Sequence, residues 1–195
     1  TTARRWPGFV RFDMQPNFKP MCVMGIGNVL LGDDAIGPHV IAWLEAHYEF
    51  GSDVELCDAG TPGLDMMARL SQTDALVAVD AVNANAPAGS ILLWDREALM
   101  ASGSGIRVSP HDPALAQALA TLELAGSAPA GILLVGIVPE KLGPGIGMSA
   151  SVRAAVSRAS NCVVSAVRQW GGDVNRRPTP FDPRTWWEAL PAVRG

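Results

Sequence analysis

Long apolar runs are missing from this sequence of 195 residues, although 48% of the residues are hydrophobic. A helix that crosses a bilayer needs about 20 apolar residues in succession, and the longest candidates here, such as residues 131–138, are only long enough for a strand. A basic segment followed by an apolar one, the pattern of a secretory signal, is not visible either. The composition therefore predicts one globular domain in the cytoplasm, without a membrane interaction.

Cysteine is scarce as well, with three widely spaced residues and neither a Cys-x-x-Cys pair nor a Cys/His cluster. This argues against a disulfide scaffold and a zinc finger, and it favours a reducing compartment. Cys22 and Cys162 lie in apolar runs that are typical of a core, and Cys57 is predicted to be buried and inert. Because Gly-x-Ser-x-Gly is also absent, the sequence gives little support for a nucleophilic cysteine or serine.

Charged residues make up only 17% of the chain, and they are unevenly distributed. Residues 21–175 contain seven basic and sixteen acidic residues, whereas residues 1–20 and 176–195 contain four basic residues each. An acidic body repels phosphate groups, so a nucleic-acid partner is not expected. The same charge favours binding of a cation or a metal.

Short apolar runs alternate with helical patterns from residue 21 onward. The runs predict five strands, and the 3.6-residue periodicity between them predicts four helices. The predicted strands are 21–24, 54–57, 75–79, 90–94 and 132–138, and the predicted helices are 38–48, 63–72, 113–124 and 149–170. This alternation is typical of a three-layer α/β fold, in which a twisted, mostly parallel five-stranded sheet has helices on both faces.

Residues outside this pattern divide the chain into three parts. Residues 1–20 are predicted to form an N-terminal arm, residues 21–172 a single α/β domain, and residues 173–195 a proline-rich C-terminal tail without a regular helix. The tail contains Trp186 and Trp187, which we expect to pack onto the body or onto a partner.

Acidic residues follow four of the five predicted strands. A glycine-rich loop over residues 25–37 follows the first strand, Asp58 the second, Asp80 the third and Glu140 the fifth, while His111 lies beyond the fourth. In an open α/β sheet the binding crevice lies at the carboxyl ends of the strands. We therefore expect the functional site among these residues.

The glycine-rich loop partly matches a dinucleotide-binding fingerprint. That fingerprint needs a third glycine at the position of Leu30, and Asp33 and Asp34 stand where a helix start would receive a phosphate. Asp58, in contrast, matches the acid that binds a ribose. An enzyme dependent on a nucleotide or on S-adenosylmethionine is therefore one alternative.

A metal site is the second alternative, with two carboxylates and one imidazole from Asp34, Asp80 and His111. Such a mixed oxygen and nitrogen set suits a borderline divalent ion. Each residue also has a structural interpretation: Asp33 or Asp34 could cap the first helix, Asp80 could bind amides of the next loop, and a lone histidine could serve packing. The two other histidines lie on a predicted helix and are interpreted as structural.

Five sequence blocks together resemble a known protein family. The blocks are Gly25-x-Gly27-Asn28-x-Leu30-x-x-Asp33-Asp34-x-x-Gly37, Asp58-Ala59-Gly60-Thr61, Val79-Asp80-Ala81, Ser109-Pro110-His111 and Val135-Gly136-Ile137-Val138-Pro139-Glu140. In order and spacing, over roughly residues 21–170, they are similar to the hydrogenase maturation proteases. These endopeptidases trim the large subunit of [NiFe] hydrogenases.

This resemblance implies a fold, an activity and a partner. The implied protein is a monomer with a twisted, mostly parallel five-stranded sheet. It removes a short C-terminal extension from the [NiFe]-hydrogenase large-subunit precursor after nickel has been inserted. The nickel is carried by that precursor, and the sequence leaves open whether the protein binds a metal at rest. A non-catalytic chaperone of a metalloprotein precursor is a further alternative.

The resemblance also implies roles for individual residues. The metal-contacting positions of the family match Asp34, Asp80 and His111, and the first of them is Glu in many members. The implied catalytic residues are Asp34, Asp80 and Asp58. The implied substrate-binding residues are Gly27, Asn28, Asp58, Gly60 and Thr61.

Overall fold

The computed structural model describes residues 4–5, 18–61, 64–101 and 113–189. Eight strands lie in these residues: β1 (Arg4–Arg5), β2 (Met21–Ile26), β3 (Tyr48–Phe50), β4 (Val54–Gly60), β5 (Ala75–Ala81), β6 (Ile91–Asp95), β7 (Gly131–Ile137) and β8 (Val174–Arg176). The helices are α1 (Ile36–His47), α2 (Leu64–Leu70), α3 (Arg96–Ala101), α4 (Pro113–Leu124), α5 (Ala150–Arg153) and α6 (Val156–Gln169). Two short 3-10 turns, Asp33–Ala35 and Trp186–Ala189, complete the described elements.

The main sheet has the strand order β1-β6-β7-β5-β2-β4. Strands β7, β5, β2 and β4 run parallel to one another, and β6 runs antiparallel to β7. The two-residue strand β1 pairs antiparallel with β6 at the edge, where Arg4 faces Leu93 and Arg5 faces Leu92. Apart from this added strand, the sheet is the mostly parallel five-stranded sheet that the sequence predicts, so the predicted fold class is confirmed.

Helices cover both faces of the sheet. They bury the central strand β5, whose residues are apolar on both sides. Its residues alternate between two buried clusters, as the two-residue period of a strand requires. Val77 and Val79 belong to the cluster that includes residues of α1 and α6, whereas Leu76 and Ala78 belong to the cluster that includes residues of α2 and α4. The continuous apolar run therefore reflects a strand that is buried between two helical layers.

Several boundaries differ from the predicted ones. Strands β2, β4 and β5 each extend two or three residues further, to Ile26, Gly60 and Ala81. The predicted helix over 149–170 is divided into α5 and α6, and α3 was not predicted. The predicted first helix ends one residue early because Tyr48 begins β3, which pairs with β8 in a separate two-stranded sheet.

The C-terminal segment packs onto the body in part. Val174 in β8 is buried, and so is Trp187, which is 3% exposed, whereas Trp186 is 66% exposed. Packing onto the body is therefore confirmed for Trp187, whereas packing of Trp186 onto a partner stays a prediction. The predicted domain boundary at residue 172 stays a prediction. Within the described part of the chain, every helix is too short or too polar to cross a membrane.

Candidate active site

The candidate site lies at the carboxyl ends of β2, β4 and β5. After β2 the chain forms the glycine-rich loop, passes through the 3-10 turn Asp33–Ala35 and enters α1. The amide of Gly27 donates a hydrogen bond of 3.0 Å to the carbonyl of Gly60, which joins this loop to the end of β4. The topology therefore brings together chain segments that are more than 30 residues apart in the sequence.

The glycines of the loop are required because α1 packs directly onto the backbone of β2. A Cβ atom at Gly37 would lie 2.1 Å from the carbonyl oxygen of Ile26, and one at Gly25 would lie 2.5 Å from the carbonyl oxygen of Gly37. Gly27 has a φ of 144°, and a Cβ there would lie 1.8 Å from the carbonyl oxygen of Asp34. These contacts explain the glycine motif by helix–strand packing alone, without a phosphate ligand.

Asp34 is completely buried beneath the glycine-rich loop. Its Oδ2 accepts a hydrogen bond of 2.8 Å from the amide of Asn28, and Asn28 Oδ1 in turn accepts one of 3.0 Å from the amide of Leu30. A carboxylate buried in this way needs hydrogen-bond donors to remain charged. The loop supplies one of them and thereby fixes the position of the Asp34 side chain.

Asp80 places a second buried carboxylate at the same edge of the sheet. It lies near the end of β5, is 2% exposed, and accepts a hydrogen bond of 2.7 Å from the amide of Ala81. The 3-10 turn that contains Asp34 packs against β5. The structure therefore brings two of the three predicted metal-contacting residues to the same edge of the sheet, on elements that contact each other.

Asp58, Gly60 and Thr61 form the rim of this site. Asp58 lies on β4 beside Gly25 of β2, is exposed, and accepts a hydrogen bond of 3.0 Å from the amide of Gly60. Thr61 is exposed as well. These residues face solvent where a substrate could approach, in contrast to the two buried carboxylates.

His111 lies outside the described residues, so the predicted set of Asp34, Asp80 and His111 stays a prediction. Among the residues that the structure describes, no group of three or more His, Cys, Asp or Glu side chains is placed to hold a metal ion. Asp34 and Asp80 provide oxygen donors only. A borderline divalent ion at this place would need further donors from elsewhere.

Asp33 has a role that the sequence analysis missed. Its buried carboxylate accepts hydrogen bonds from the amides of Glu140 and Lys141 at 2.8 and 2.9 Å, and from the amide and hydroxyl of Ser149 at 2.6 and 3.0 Å. The bonds go to the loop between β7 and α5, instead of capping α1. The one available signal was Ser149 at a predicted helix start, where it caps α5 by accepting from the amide of Val152.

The three cysteines are free thiols. Burial raises the pKa of Cys22 and of Cys162 to about 12, and burial also raises the pKa of the half-buried Cys57. Because the thiolate is the reactive form, these groups are inert at neutral pH. This agrees with the prediction that none of them is a nucleophile.

Comparison with known proteins identifies the family to which this chain belongs. The family model described as hydrogenase maturation protease matches residues 38–166. The chain belongs to the hydrogenase maturation protease family. The hydrogenase 2 maturation protease of Escherichia coli (strain K12) is 37% identical over 164 residues, which cover 82% of this chain and 98% of that protein. This member of the family is accordingly a peptidase.

Another relative and a solved structure are similar to this protease in sequence and in fold. The hydrogenase expression/formation protein HoxM of Cupriavidus necator is 31% identical over 150 residues, which cover 76% of this chain and 74% of that protein. The solved structure of the hydrogenase maturating endopeptidase HybD from E. coli superimposes with a TM-score of 0.75 at 34% identity, covering 80% of this chain and 97% of that one.

Proposed function

We propose that this protease removes the C-terminal extension of a nickel-loaded [NiFe]-hydrogenase large-subunit precursor, and that it recognises the nickel through Asp34, Asp80 and His111. The observation that carries the proposal is the pair of buried carboxylates at the end of β5 and in the turn before α1, next to an exposed rim. Membership in the family supports the substrate class. The same proposal makes the protein a cytoplasmic monomer.

Nickel enters this site as part of the substrate. Contact with Asp34, Asp80 and His111 holds the precursor so that its scissile bond lies against the site, which converts the reaction into an effectively intramolecular one. Once the precursor is held by these residues, its nickel would supply Lewis-acid chemistry, polarising the scissile carbonyl or activating water. In this proposal a precursor without nickel is a poor substrate.

The carboxylates have a second role in the proposed reaction. Asp34 or Asp80 accepts the proton of the attacking water, as a general base does. On the rim, the exposed Asp58 takes part in catalysis or contacts the substrate. The backbone of Gly27 and Gly60, together with the side chains of Asn28 and Thr61, guides the chain of the precursor toward the nickel.

Incubation of a nickel-loaded precursor with the protein, followed by intact-mass measurement, tests the proposal. Wild-type protein should release one C-terminal peptide, and nickel-free precursor should remain intact. Asp80→Asn and His111→Ala should each lower the cleavage rate by at least about 100-fold, the usual contribution of a general acid–base group or metal ligand. His111→Ala should change the free energy of unfolding by less than about 1 kcal/mol.

Asp53→Asn is the matched control for these variants. Asp53 is an exposed carboxylate that forms an ion pair with Lys19 at the amino end of the sheet, far along the strands from the site. Its removal should leave cleavage unchanged. Cleavage of nickel-loaded precursor by His111→Ala at the wild-type rate would contradict the assignment of the metal contacts, and cleavage of nickel-free precursor would contradict recognition of nickel.

A further inference from the structure

Two exposed leucines lie beside the candidate site. Among the described residues, five large apolar side chains are exposed: Leu30, Leu124, Leu142, Phe181 and Trp186. Leu30 is 53% exposed and Leu142 is 40% exposed. They occur on two different loops at the carboxyl edge of the sheet, the glycine-rich loop and the loop that follows β7. Neither leucine contributes fully to the core.

Backbone hydrogen bonds join these two loops. The amide of Gly145 donates to the carbonyl of Leu30 at 2.9 Å, and the amide of Gly32 donates to the carbonyl of Gly145 at 2.9 Å. Leu142 is the bridge partner of Gly32 in the antiparallel sense. Leu30 and Leu142 therefore stand on adjoining segments of one continuous surface.

The Asp33 carboxylate makes this surface rigid. It holds the amides of Glu140 and Lys141 just before Leu142, and Ser149 at the other end of the same loop. A preformed surface loses little conformational entropy when a ligand binds, so the apolar area it offers contributes more of its energy to affinity. The geometry of the two leucines is set before any substrate arrives.

The surface is continuous with the candidate site. Leu30 is linked to Asn28 through the Asn28 side chain, and the amide of Asn28 is bonded to Asp34. On the other loop, Gly143 and Gly145 leave open space where a side chain would stand, since nothing lies within 4 Å of a Cβ built at either residue. The backbone of this loop is therefore open to an extended chain at these two glycines.

We propose that Leu30 and Leu142 are specificity-determining residues that bind apolar side chains of the precursor next to its scissile bond. This proposal rests on the proposed function, because the occupant is the chain end of the same precursor. An extended peptide fits the arrangement, since it presents side chains to the two leucines while its backbone passes over Gly143 and Gly145. The buried carboxylates recognise the nickel, and the leucines recognise the sequence that carries it.

Substitution of each leucine by serine measures how much that leucine contributes to binding of the precursor. Covering a half-exposed leucine removes enough apolar surface from water to change affinity about tenfold. Leu30→Ser and Leu142→Ser should each raise the KM for nickel-loaded precursor about tenfold and change kcat less than about twofold. Leu30→Met and Leu142→Met should restore the wild-type KM, because methionine offers a similar apolar area.

Leu124→Ser is the matched control. Leu124 is the most exposed leucine of the described residues, at 93%, and it lies at the end of α4 before the strand that leads to the site. Its substitution removes the same apolar group from the surface and should leave KM unchanged. Thermal unfolding of all three serine variants should match that of the wild type, because none of these side chains is buried.

The dissociation constant of nickel-loaded precursor separates this proposal from the proposed function when it is measured by stopped-flow mixing with wild-type protein and the leucine variants, before cleavage occurs. If wild-type protein cleaves the precursor and both leucine variants behave like Leu124→Ser, the role of the leucines is overturned and the proposed function stands. If the precursor binds with a tenfold dependence on each leucine but is never cleaved, the proposed function falls and the binding surface stands. If purified precursor neither binds nor is cleaved, both are overturned.

Discussion

Two polar clusters, each built around one buried ionisable side chain, connect the start of α1 with α5, and they differ in how that side chain is stabilised. The Asp33 cluster consists of Asp33, Glu140, Lys141 and Ser149, in which one carboxylate accepts four hydrogen bonds. The His39 cluster consists of His39, Trp187, Glu188 and Arg153. There, Nε2 of His39 accepts a hydrogen bond of 3.2 Å from the indole nitrogen of Trp187, and Glu188 binds Arg153 at 2.9 Å.

The difference shows how a buried ionisable group is accommodated. Asp33 is surrounded by donors, which compensate for the loss of water around a charge. His39 has a neutral indole as its hydrogen-bond partner, and burial lowers its pKa to about 4, although nearby Glu188 acts in the opposite direction. Burial raises the pKa of Glu188, but the hydrogen bonds from Arg153 and Thr185 outweigh that and lower it overall.

The largest expected effect is on the Asp33 cluster. Asp33→Asn replaces one acceptor oxygen of the carboxylate by an NH2 group. The hydrogen atoms of that group would face N–H and O–H donors that now bind the carboxylate. Since hydrogen bonds to a charged group contribute about 1.5–3 kcal/mol each, this variant should lose about 4 kcal/mol of stability in urea unfolding, and precursor cleavage should fall because the loop before α5 is released.

Asp95→Asn is the control for that measurement. Asp95 accepts one amide hydrogen bond of 2.8 Å from Ala98 at the start of α3. Asparagine caps a helix about as well as aspartate does, so the loss should be under about 1 kcal/mol. Equal losses for the two variants would show that the Asp33 cluster has no special role.

The two adjacent tryptophans test the His39 cluster. Trp187 is buried with its ring edge-on to that of His39 at 5.3 Å, whereas Trp186 is mostly exposed. Trp187→Ala should cost about 3 kcal/mol, as truncation of a buried aromatic side chain does, and Trp186→Ala should cost less than about 0.5 kcal/mol. Thermal and urea unfolding of the pair measure this difference, and similar values for both would mean that the C-terminal turn contributes little.

The pH dependence of stability distinguishes the clusters with a smaller effect. His39 has an ordinary pKa near 6.5 in the unfolded chain and about 4 in the folded protein. Above pH 6.5 both states are neutral and the full stability is present. As the pH falls from 6.5 toward 4, the unfolded state takes up the proton first, so stability decreases, by about 2 kcal/mol between pH 7 and pH 5.

His39→Gln keeps an acceptor for Trp187 and removes the titration. Its stability should therefore change less over this pH range than that of the wild type. Parallel curves for His39→Gln and wild type would contradict the assignment to His39.

The fold was largely predictable because its strands are apolar on both faces. The apolar run over residues 75–79 could be interpreted as a buried strand without knowledge of the strands that pair with it. Helix α4 begins and ends as predicted. Strands β3 and β8 could not be predicted, because three residues such as Tyr48–Phe50 are stable as a strand only through pairing with a segment more than 120 residues away. The antiparallel direction of β6 likewise depends on the sheet and has no local signal.

For the candidate site, the sequence allowed prediction of the edge of the sheet at which its residues lie. Chain topology explains why Asp34, Asp80 and Gly60 all lie at that edge. The distinct roles of Asp33 and Asp34 could not be separated, because the donors for Asp33 lie 107 to 116 residues away in the sequence. The burial of Trp187 was expected from its size alone, but which of the two tryptophans faces His39 depends on the turn at Trp186–Ala189.

The short strand β1 affects how the protein behaves at high concentration. An unpaired strand edge is a template on which another chain can add, and proteins protect such edges by covering or charging them. Here Arg4 and Arg5 occupy the hydrogen-bonding edge of β6 beside Leu93 and Leu92, while β4 at the opposite edge carries the exposed residues Asp58 and Glu55, the latter paired with Arg69. One edge is covered by the chain itself and the other carries charged side chains, which are the two means by which proteins protect a sheet from edge-to-edge association.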